Sequence, residues 1–168
     1  MKKLVLVLTL AAGALAADAQ VYLGGKLGLW SIKDKETQVN IAPEVGYRFN
    51  NQWAIATALN FNQVDPKHGN SYSIFEFNPY VRYTAARVGA VSFILDGSLG
   101  FNWTNPQVGD TKFGWSIGVR PGISVDLNRH WNFVANFGEL GYQDYNDMKA
   151  YGYRFSTTDV NLGFYYNF

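Results

Sequence analysis

The sequence has no cysteine among its 168 residues, so no disulfide stabilises the fold. Charged residues make up only 16% of the chain, whereas water-soluble domains usually carry about 25%. Beyond the first twenty residues, no apolar run approaches the roughly 20 residues that a transmembrane helix needs. These absences exclude a disulfide-linked scaffold and helical membrane spans, and they leave a surface that is unusually poor in charge.

The start of the chain has the three parts of a secretory signal peptide: a positively charged beginning, a short apolar run and a stretch of small residues. The apolar run is too short for an N-terminal membrane anchor. Cleavage fits after Ala16 or after Ala19, and we favour Ala19, which makes Gln20 the first mature residue. The predicted organisation is therefore a signal peptide over residues 1–19 and a single domain over residues 20–168.

Neither charge nor motifs point to nucleic acid or a cofactor. Without the predicted signal peptide the chain has twelve basic and twelve acidic residues, so its net charge is zero. No basic surplus favours nucleic-acid binding. The glycines Gly24, Gly25 and Gly28 do not indicate a phosphate-binding loop, because no helix is predicted to follow them. We therefore expect no nucleic-acid partner and no cofactor.

Period-two alternation runs along almost the whole mature chain. In residues 112–127 the odd-numbered positions, from Phe113 to Leu127, are all apolar, and the even-numbered positions, from Lys112 to Asp126, are all polar or glycine. We call each such set of alternate positions a parity. A helix is excluded here, because only a strand points successive side chains to opposite faces. Eight strands are predicted, at about residues 21–31, 38–49, 53–62, 72–84, 90–103, 112–127, 131–142 and 155–168.

The predicted connections between the strands alternate in length. The tight ones are at residues 50–52, 85–89 and 128–130, and the longer ones are near residues 32–37, 63–71, 104–111 and 143–154. Short periplasmic turns and longer outer loops are typical of a transmembrane barrel. An even number of strands then places both chain termini on the periplasmic side.

Three prolines, Pro43, Pro79 and Pro121, fall inside predicted strands. Proline removes a donor from the hydrogen-bond ladder and is normally confined to edge strands or bulges. A closed barrel has no edge strand. A local bulge is therefore expected at each of the three sites.

Alternation alone also fits a soluble, lipocalin-like barrel whose apolar side chains point inward. Here the polar parity is mostly Gly, Ala, Ser and Asn with isolated charges, which suits a narrow interior better than a surface in water. Aromatic residues on the apolar parity concentrate near strand ends, as in the interfacial girdles of membrane barrels. They are Tyr47, Phe49, Trp53, Trp103, Phe113, Trp115, Trp131, Phe133, Tyr166 and Phe168. The sequence thus predicts that the apolar face points outward, into lipid.

Two segments carry a family resemblance. Asn161, Gly163, Tyr166 and Phe168 resemble the C-terminal assembly signal of outer-membrane proteins, in which a glycine and two aromatic or apolar residues follow a polar residue at fixed spacing. Residues 43–54, which contain Gly-Tyr-Arg-Phe, resemble a hairpin common in the OmpA/OmpX-like outer membrane protein β-barrel domain, a porin-family group of small barrels.

The resemblance covers essentially the mature chain. It implies an all-β fold, an eight-stranded antiparallel transmembrane β-barrel with an up-and-down meander, in the outer membrane of a Gram-negative bacterium. Outer-membrane lipid and, during biogenesis, the barrel assembly machinery are the partners it implies. The predicted outer loops are short, which weakens any transfer of surface-contact roles from the family.

The predicted phase directs five basic and five acidic side chains into the lumen. They are Lys26, Arg48, Arg82, Lys112 and Arg120, with Glu44, Glu76, Asp96, Asp126 and Asp159. An eight-stranded barrel has an interior just wide enough for side chains to fill it. Charges there are tolerable when they pair, so we expect a structural polar plug. The alternative is a narrow path for ions, because rings of charge also set selectivity in pores.

Catalytic readings have weaker support. The carboxylates lie on different strands with basic residues between them, so we expect no pair that converges for hydrolysis. Some small outer-membrane barrels modify lipid A with a His and a Ser near the outer rim, and His68 with Ser71 or Ser73 is the only such pairing here. His130 is predicted at the opposite end, so the two histidines share neither a metal nor a catalytic dyad.

The sequence therefore predicts a small, non-enzymatic outer-membrane barrel with a filled polar lumen and a structural or surface role. Three alternatives stay open at this point. They are a narrow passive channel, a lipid A-modifying enzyme and, if the apolar face points inward, a soluble ligand-binding barrel.

Overall fold

The computed structural model describes residues 21–32, 36–66, 70–107, 109–145, 148–154 and 160–168. For residues 28–32, 36–38, 145, 148, 154, 160 and 161 it describes the backbone alone. The predicted signal peptide, His68 and Asp159 lie outside the described residues. Within the described ranges, no helix is long and apolar enough to cross a membrane.

The described chain is built from ten strand segments, as its alternating pattern and its many β-branched and aromatic residues predict. They are β1 (Val21–Ile32), β2 (Glu36–Arg48), β3 (Trp53–Pro66), β4 (Tyr72–Val88), β5 (Val91–Pro106), β6 (Lys112–Asp126), β7 (Trp131–Phe137), β8 (Glu139–Tyr145), β9 (Met148–Arg154) and β10 (Val160–Asn167).

The segments form one closed antiparallel ring. Each of β1 to β5 pairs with the next strand, and β1 also pairs with β10. β6 pairs with both β7 and β8, which follow each other along its far side. β7 pairs in turn with β10, and β8 pairs with β9. β7 and β8 are therefore one barrel strand, β9 and β10 occupy the next position, and the predicted eight-stranded barrel is confirmed.

Two of the tight turns are stabilised in the same way, by an asparagine side chain that accepts two backbone hydrogen bonds. Asn50 Oδ1 accepts hydrogen bonds from the backbone N–H of Gln52 and of Trp53, at 2.8 and 2.9 Å. Asn128 Oδ1 does the same for His130 and Trp131, at 2.9 Å in both cases. An asparagine side chain that bonds the backbone two residues on stabilises a turn. These turns lie at the end that also holds Val21 and Phe168, which we call the short-turn end; the opposite end is the long-loop end.

The third tight turn lies later in the sequence than predicted. β4 continues to Val88 with a bulge between Thr84 and Ala86, so the turn is at residues 89–90 rather than 85–89. Gly89 adopts a φ of 61°, in the left-handed region that glycine adopts without strain.

The predicted long loop at residues 143–154 is wrong over most of its length. β8 runs to Tyr145 and β9 begins at Met148, and the two segments pair in register from Glu139 with Arg154 to Tyr145 with Met148. The Asp and Asn residues of this segment are typical of loops, but its alternate tyrosines favour strands. The seventh and eighth barrel strands therefore continue as a paired hairpin through most of this segment.

Gly138 forms a one-residue bulge between β7 and β8. Gly122 of β6 pairs with Asn136, whereas Val119 pairs with Leu140, so the seventh strand has one residue more than β6 between these pairs. The φ of Gly138 is 65°, which again requires the left-handed region. A bulge of one residue exchanges the faces to which the two parities point.

The exchange brings an unpredicted carboxylate into the lumen. Asn132 and Asn136 are buried before the bulge, and Glu139 points inward after it. Its Oε1 lies 2.5 Å from the position that a Cβ on Gly118 would occupy, so the glycine makes room for this side chain. Leu140, on the other parity, is 58% exposed on the outer face.

The predicted bulges at the prolines are wrong for Pro43 and Pro79. The register between β2 and β3 is the same on both sides of Pro43, and so is the register between β4 and β5 around Pro79. In each case pairing is interrupted for two residues and then resumes, because a missing donor does not require an extra residue. Next to Pro121 there is a bulge, but the extra residue is Gly138 on the neighbouring seventh strand, not a residue of β6.

The apolar parity faces outward, as predicted. Leu27, Ile41 and Leu99 are among the large apolar side chains that are exposed along the middle of the strands. Aromatic rings line both ends of this outer face. Near the long-loop end, Phe61, Phe75, Trp103 and Phe113 contact in succession, with centroid distances of 5.0, 5.7 and 5.6 Å. Near the short-turn end, Tyr166 packs edge-on against both Trp131 and Phe168, at 5.1 Å in each case.

Inside the barrel, tyrosine rings lie over glycines of the same strand or of a neighbouring one. A Cβ on Gly46 would collide with the ring of Tyr22, and a Cβ on Gly163 would lie 2.6 Å from Tyr165 Oη. Both tyrosines are buried, and their rings meet edge to face with centroids 5.7 Å apart. Glycine at these positions lets a large ring fit inside a narrow barrel.

The Gly46→Ala substitution is therefore expected to destabilise the folded barrel by about 1–3 kcal/mol, because the added methyl forces the Tyr22 ring to move in a packed interior. The matched control is Gly97→Ala, since the nearest atom to a Cβ there is Val81 O at 4.0 Å. Urea unfolding in lipid vesicles measures the free energy of unfolding of both variants. Equal stability of the two variants would contradict the tyrosine–glycine packing.

Candidate functional site

The lumen holds the candidate site, and nine of the ten predicted charges line it; Asp159 is outside the described residues. Buried near mid-barrel are Lys26, Glu44, Arg82 and Asp96. Half-buried above or below them are Arg48, Glu76, Arg120 and Asp126, and Lys112 is exposed at the long-loop end. The structure thus shows where these charges lie and which of them meet.

Asp96 is the most buried of these charges, with no exposed surface. Arg82 lies directly opposite on β4 and donates two hydrogen bonds to it, from Nε to Oδ1 at 2.7 Å and from Nη2 to Oδ2 at 2.9 Å. Asn136 Nδ2 donates a third, to Oδ2 at 3.0 Å. A two-pronged arginine–carboxylate pair is among the strongest polar contacts, and the third donor satisfies the carboxylate further.

Glu44 is the second buried carboxylate, and two tyrosines donate to it. Tyr80 Oη bonds Oε1, and Tyr165 Oη bonds Oε2 at 3.1 Å. Lys26 Nζ lies 4.0 Å from Glu44 Oε2 and donates to Asn136 Oδ1 at 3.2 Å. Lys26 and Asn136 therefore connect the Glu44 contacts with the Arg82–Asp96 pair.

These residues form what we call the central network: Lys26, Glu44, Tyr80, Arg82, Asp96, Asn136 and Tyr165. They come from six strand segments, β1, β2, β4, β5, β7 and β10. Several of the contacts skip a strand, such as Tyr80 on β4 with Glu44 on β2, so they reach across the lumen rather than along its wall. On β3, between them, the inward residues Ala56 and Ala58 are small and leave the space.

The central network includes side chains that were not singled out from the sequence. Tyr80 and Tyr165 are as buried as the charges, and Asn136 holds two of them together. The signal was present, since each of the three occupies a position that the alternation of its strand directs into the lumen. What parity does not show is which side chains reach across to which.

The prediction of a filled lumen holds at the central network only. Above it, a cavity of about 780 Å³ reaches the long-loop end, and we call it the upper chamber. Its polar lining is dominated by the amides Asn40, Asn60, Asn62, Asn70, Asn102 and Gln143. Short asparagine side chains fill less of the interior than the predicted charges suggested.

Below the central network a smaller cavity of about 210 Å³, the lower chamber, reaches the short-turn end. Arg48 lines it and stacks over Tyr22, with its Cζ 5.4 Å from the ring centroid. Asp126 accepts a hydrogen bond from Asn132 at 2.7 Å and pairs with Arg87 at 3.5 Å. The outer charges are therefore paired more loosely than the central ones.

His68 lies outside the described residues, so its predicted pairing with Ser71 or Ser73 is not tested. His130 is exposed at the short-turn end, where its ring stacks on Tyr166 at 5.4 Å and its Nδ1 lies 3.1 Å from the backbone oxygen of Asn167. Within the described ranges, no three His, Asp or Glu side chains are placed to hold a metal ion.

A closed antiparallel barrel with an apolar outer face, aromatic rings at both ends of that face and paired charges inside is a transmembrane β-barrel. The chain matches the outer membrane protein beta-barrel domain over residues 4–168, and it belongs to that family. It is therefore an outer-membrane protein, as predicted. Short turns of such barrels face the periplasm, which places Val21 and Phe168 on that side.

Solved structures of small barrels share the fold. The chain is 16% identical to Neisserial surface protein A, with a TM-score of 0.57, and the match covers 88% of this chain and 94% of that one. It is 12% identical to the Yersinia pestis outer membrane protein Ail, with a TM-score of 0.54 and coverage of 90% and 100%. At these identities the likeness shows the fold alone. No curated protein is matched by sequence.

The Asp96→Ala substitution is expected to destabilise the barrel by about 3–5 kcal/mol, because it leaves Arg82 buried without its carboxylate. The control is Asp126→Ala, for which we expect less than about 1 kcal/mol, because its partner Arg87 is half-exposed and its other partner, Asn132, keeps a hydrogen bond to Ser124. Urea unfolding in lipid vesicles compares them. A loss for Asp96→Ala no larger than for Asp126→Ala would mean that the Arg82 pair does not stabilise the lumen.

Proposed function

We propose that the protein is a non-enzymatic outer-membrane barrel whose lumen is closed at mid-height, with a structural rather than a transport role. The observation that carries the proposal is the central network. Its two carboxylates each accept at least two hydrogen bonds, and its members come from six strand segments around the wall. A lumen bridged in this way resists both collapse of the barrel and passage of ions.

Paired charge supports a plug over a selectivity ring. A selective pore presents charges of one sign to the passing ion. Here Arg82 binds Asp96 through two hydrogen bonds, and Lys26 lies beside Glu44. An ion that crossed this level would have to separate a buried pair, and breaking one costs about 3–5 kcal/mol.

A narrow passive channel remains the second candidate, and one observation favours it. The upper and lower chambers approach the central network from opposite ends, and Arg82 borders the lower chamber while Tyr80 borders the upper one. The central network is thus the barrier between two cavities. A rearrangement of a few side chains would join them.

The proposed partners follow from the outer face and the last strand. Outer-membrane lipid is proposed to surround the exposed apolar belt. For the barrel assembly machinery, the proposed contact is the C-terminal signal, in which Tyr166 and Phe168 point outward and Gly163 lies under the Tyr165 ring. Asn161, the fourth residue of the signal, pairs through its backbone with Asn136 on β7.

Planar-bilayer recordings test the plug. The wild-type barrel is expected to show no discrete conductance steps, whereas the double variant Glu44→Ala/Tyr80→Ala is expected to conduct, because it removes two groups that separate the chambers. Asn62→Ala, which widens the upper chamber only, is the matched control and is expected to stay silent. Steps in the wild type would establish the channel instead. A silent double variant would show that the central network is not the barrier.

A further inference from the structure

The lower chamber has an excess of positive charge. Its charged lining consists of four arginines and one carboxylate: Arg48, Arg82, Arg87, Arg129 and Asp126. A cavity lined mainly by one sign of charge concentrates ions of the opposite sign. Because this chamber opens at the short-turn end, the anions that reach it are those of the periplasm.

Two of the four arginines already have a carboxylate. Arg82 is bound to Asp96 in the central network. Arg87 pairs with Asp126, with 3.5 Å between Nη2 and Oδ2. The other two arginines have no carboxylate partner among the residues that the structure describes. The lower chamber therefore keeps two positive charges that an anion can balance.

Arg48 is the more enclosed of these two arginines. It is half-buried in the chamber wall, and its guanidinium lies over the ring of Tyr22. Such a stack uses the face of the guanidinium and leaves the N–H groups at its edge able to donate. Arg129 is exposed on the turn at the mouth of the chamber. Arginine binds phosphate and carboxylate groups through two parallel N–H donors, so both side chains suit an oxyanion.

The turns at the mouth add neutral donors. Asn50 and Asn128 line the lower chamber, and the Oδ1 of each accepts two backbone hydrogen bonds from its own turn. Because these bonds occupy the oxygen, the group that each amide has left is its Nδ2 donor. One turn joins β2 to β3 and the other joins β6 to β7, so the donors come from separate parts of the rim. Donors suit an anion and not a cation.

We propose that the lower chamber is a binding site for one phosphate group. A phosphate monoester carries about −1.5 to −2 charges at pH 7, which matches the two arginines without a carboxylate. Its oxygens accept hydrogen bonds from several directions, whereas a carboxylate offers two oxygens in one plane. The volume of about 210 Å³ is below the roughly 300 Å³ at which sites for whole small molecules begin, so it suits a single group.

The phosphate group has two possible sources, a soluble phosphate of the periplasm and the headgroup of an inner-leaflet phospholipid. The chemistry that the chamber recognises is the same for both. This site goes beyond the proposed function, and it holds whether or not the central network blocks ions.

Calorimetric titration of inorganic phosphate into the folded barrel tests the site. The barrel is held in dodecyl maltoside micelles, because a phosphocholine detergent would compete. We expect saturable binding to the wild type and an affinity about tenfold weaker for Arg48→Gln, which loses a charged hydrogen bond. The matched control is Lys112→Gln, which removes one exposed positive charge at the long-loop end and should leave the affinity unchanged.

Equal weakening in the two variants would mean that phosphate follows net charge alone, and absence of saturable binding would mean that water alone solvates the arginines. Either result overturns the site. Acetate is expected to bind more weakly than phosphate, and equal or tighter binding of acetate would overturn the phosphate assignment. If Arg48→Gln does not fold, the Nε–H signal of Arg48 in the wild-type nuclear magnetic resonance spectrum decides. It shifts with phosphate if the site is correct and stays unchanged if it is wrong.

Mixed micelles distinguish the two sources of phosphate. Phosphatidylglycerol is added to the wild-type barrel, and the same amount of oleate, which is anionic but has no phosphate, is the control for surface charge. A larger loss of affinity for inorganic phosphate with phosphatidylglycerol than with oleate supports a site that a lipid headgroup fills. An equal loss with both supports a site for soluble phosphate.

Discussion

A strand inside a bilayer has no water to hydrogen-bond its backbone, so every N–H and C=O in the spanning region must pair within the sheet. This constraint closes the ring between β1 and β10 and allows few interruptions of the ladder. The two interruptions at Pro43 and Pro79 keep their register, and the bulge at Gly138 adds only one residue. Closure also determines what each face of the sheet contacts. Once the sheet is a ring in lipid, the side chains of one parity face lipid and must be apolar, and those of the other parity must pack in the lumen.

The polar interior follows from that division. Charges that face a narrow lumen are expensive unless they pair, and the central network pairs them with help from buried tyrosines and Asn136. Small inward residues such as Ala56 and Gly46 make room for the long side chains that reach across. Where the inward residues are short asparagines instead, the interior is not filled, and the upper chamber results.

The local sequence pattern was enough to predict the number of barrel strands and the outward apolar face, because the side-chain period of a strand is two. The pattern was not enough to predict that Glu139 points into the lumen. Its direction depends on the bulge at Gly138, and a single glycine in the sequence does not reveal a bulge. The contact of Tyr80 with Glu44 skips a strand and depends on barrel curvature, which no local window contains. The upper chamber depends on summed side-chain volumes in three dimensions.

The orientation of the two parities is the central claim, and the absence of native cysteine makes it directly measurable. Leu59→Cys and Asn60→Cys place one label on adjacent residues, the first 37% exposed on the outer face and the second lining the upper chamber. Each variant is labelled with bimane and reconstituted in vesicles that contain brominated phospholipid. Strong quenching at position 59 and weak quenching at position 60 is the predicted result. The reverse order, or equal quenching, would contradict an apolar face in lipid around a polar lumen.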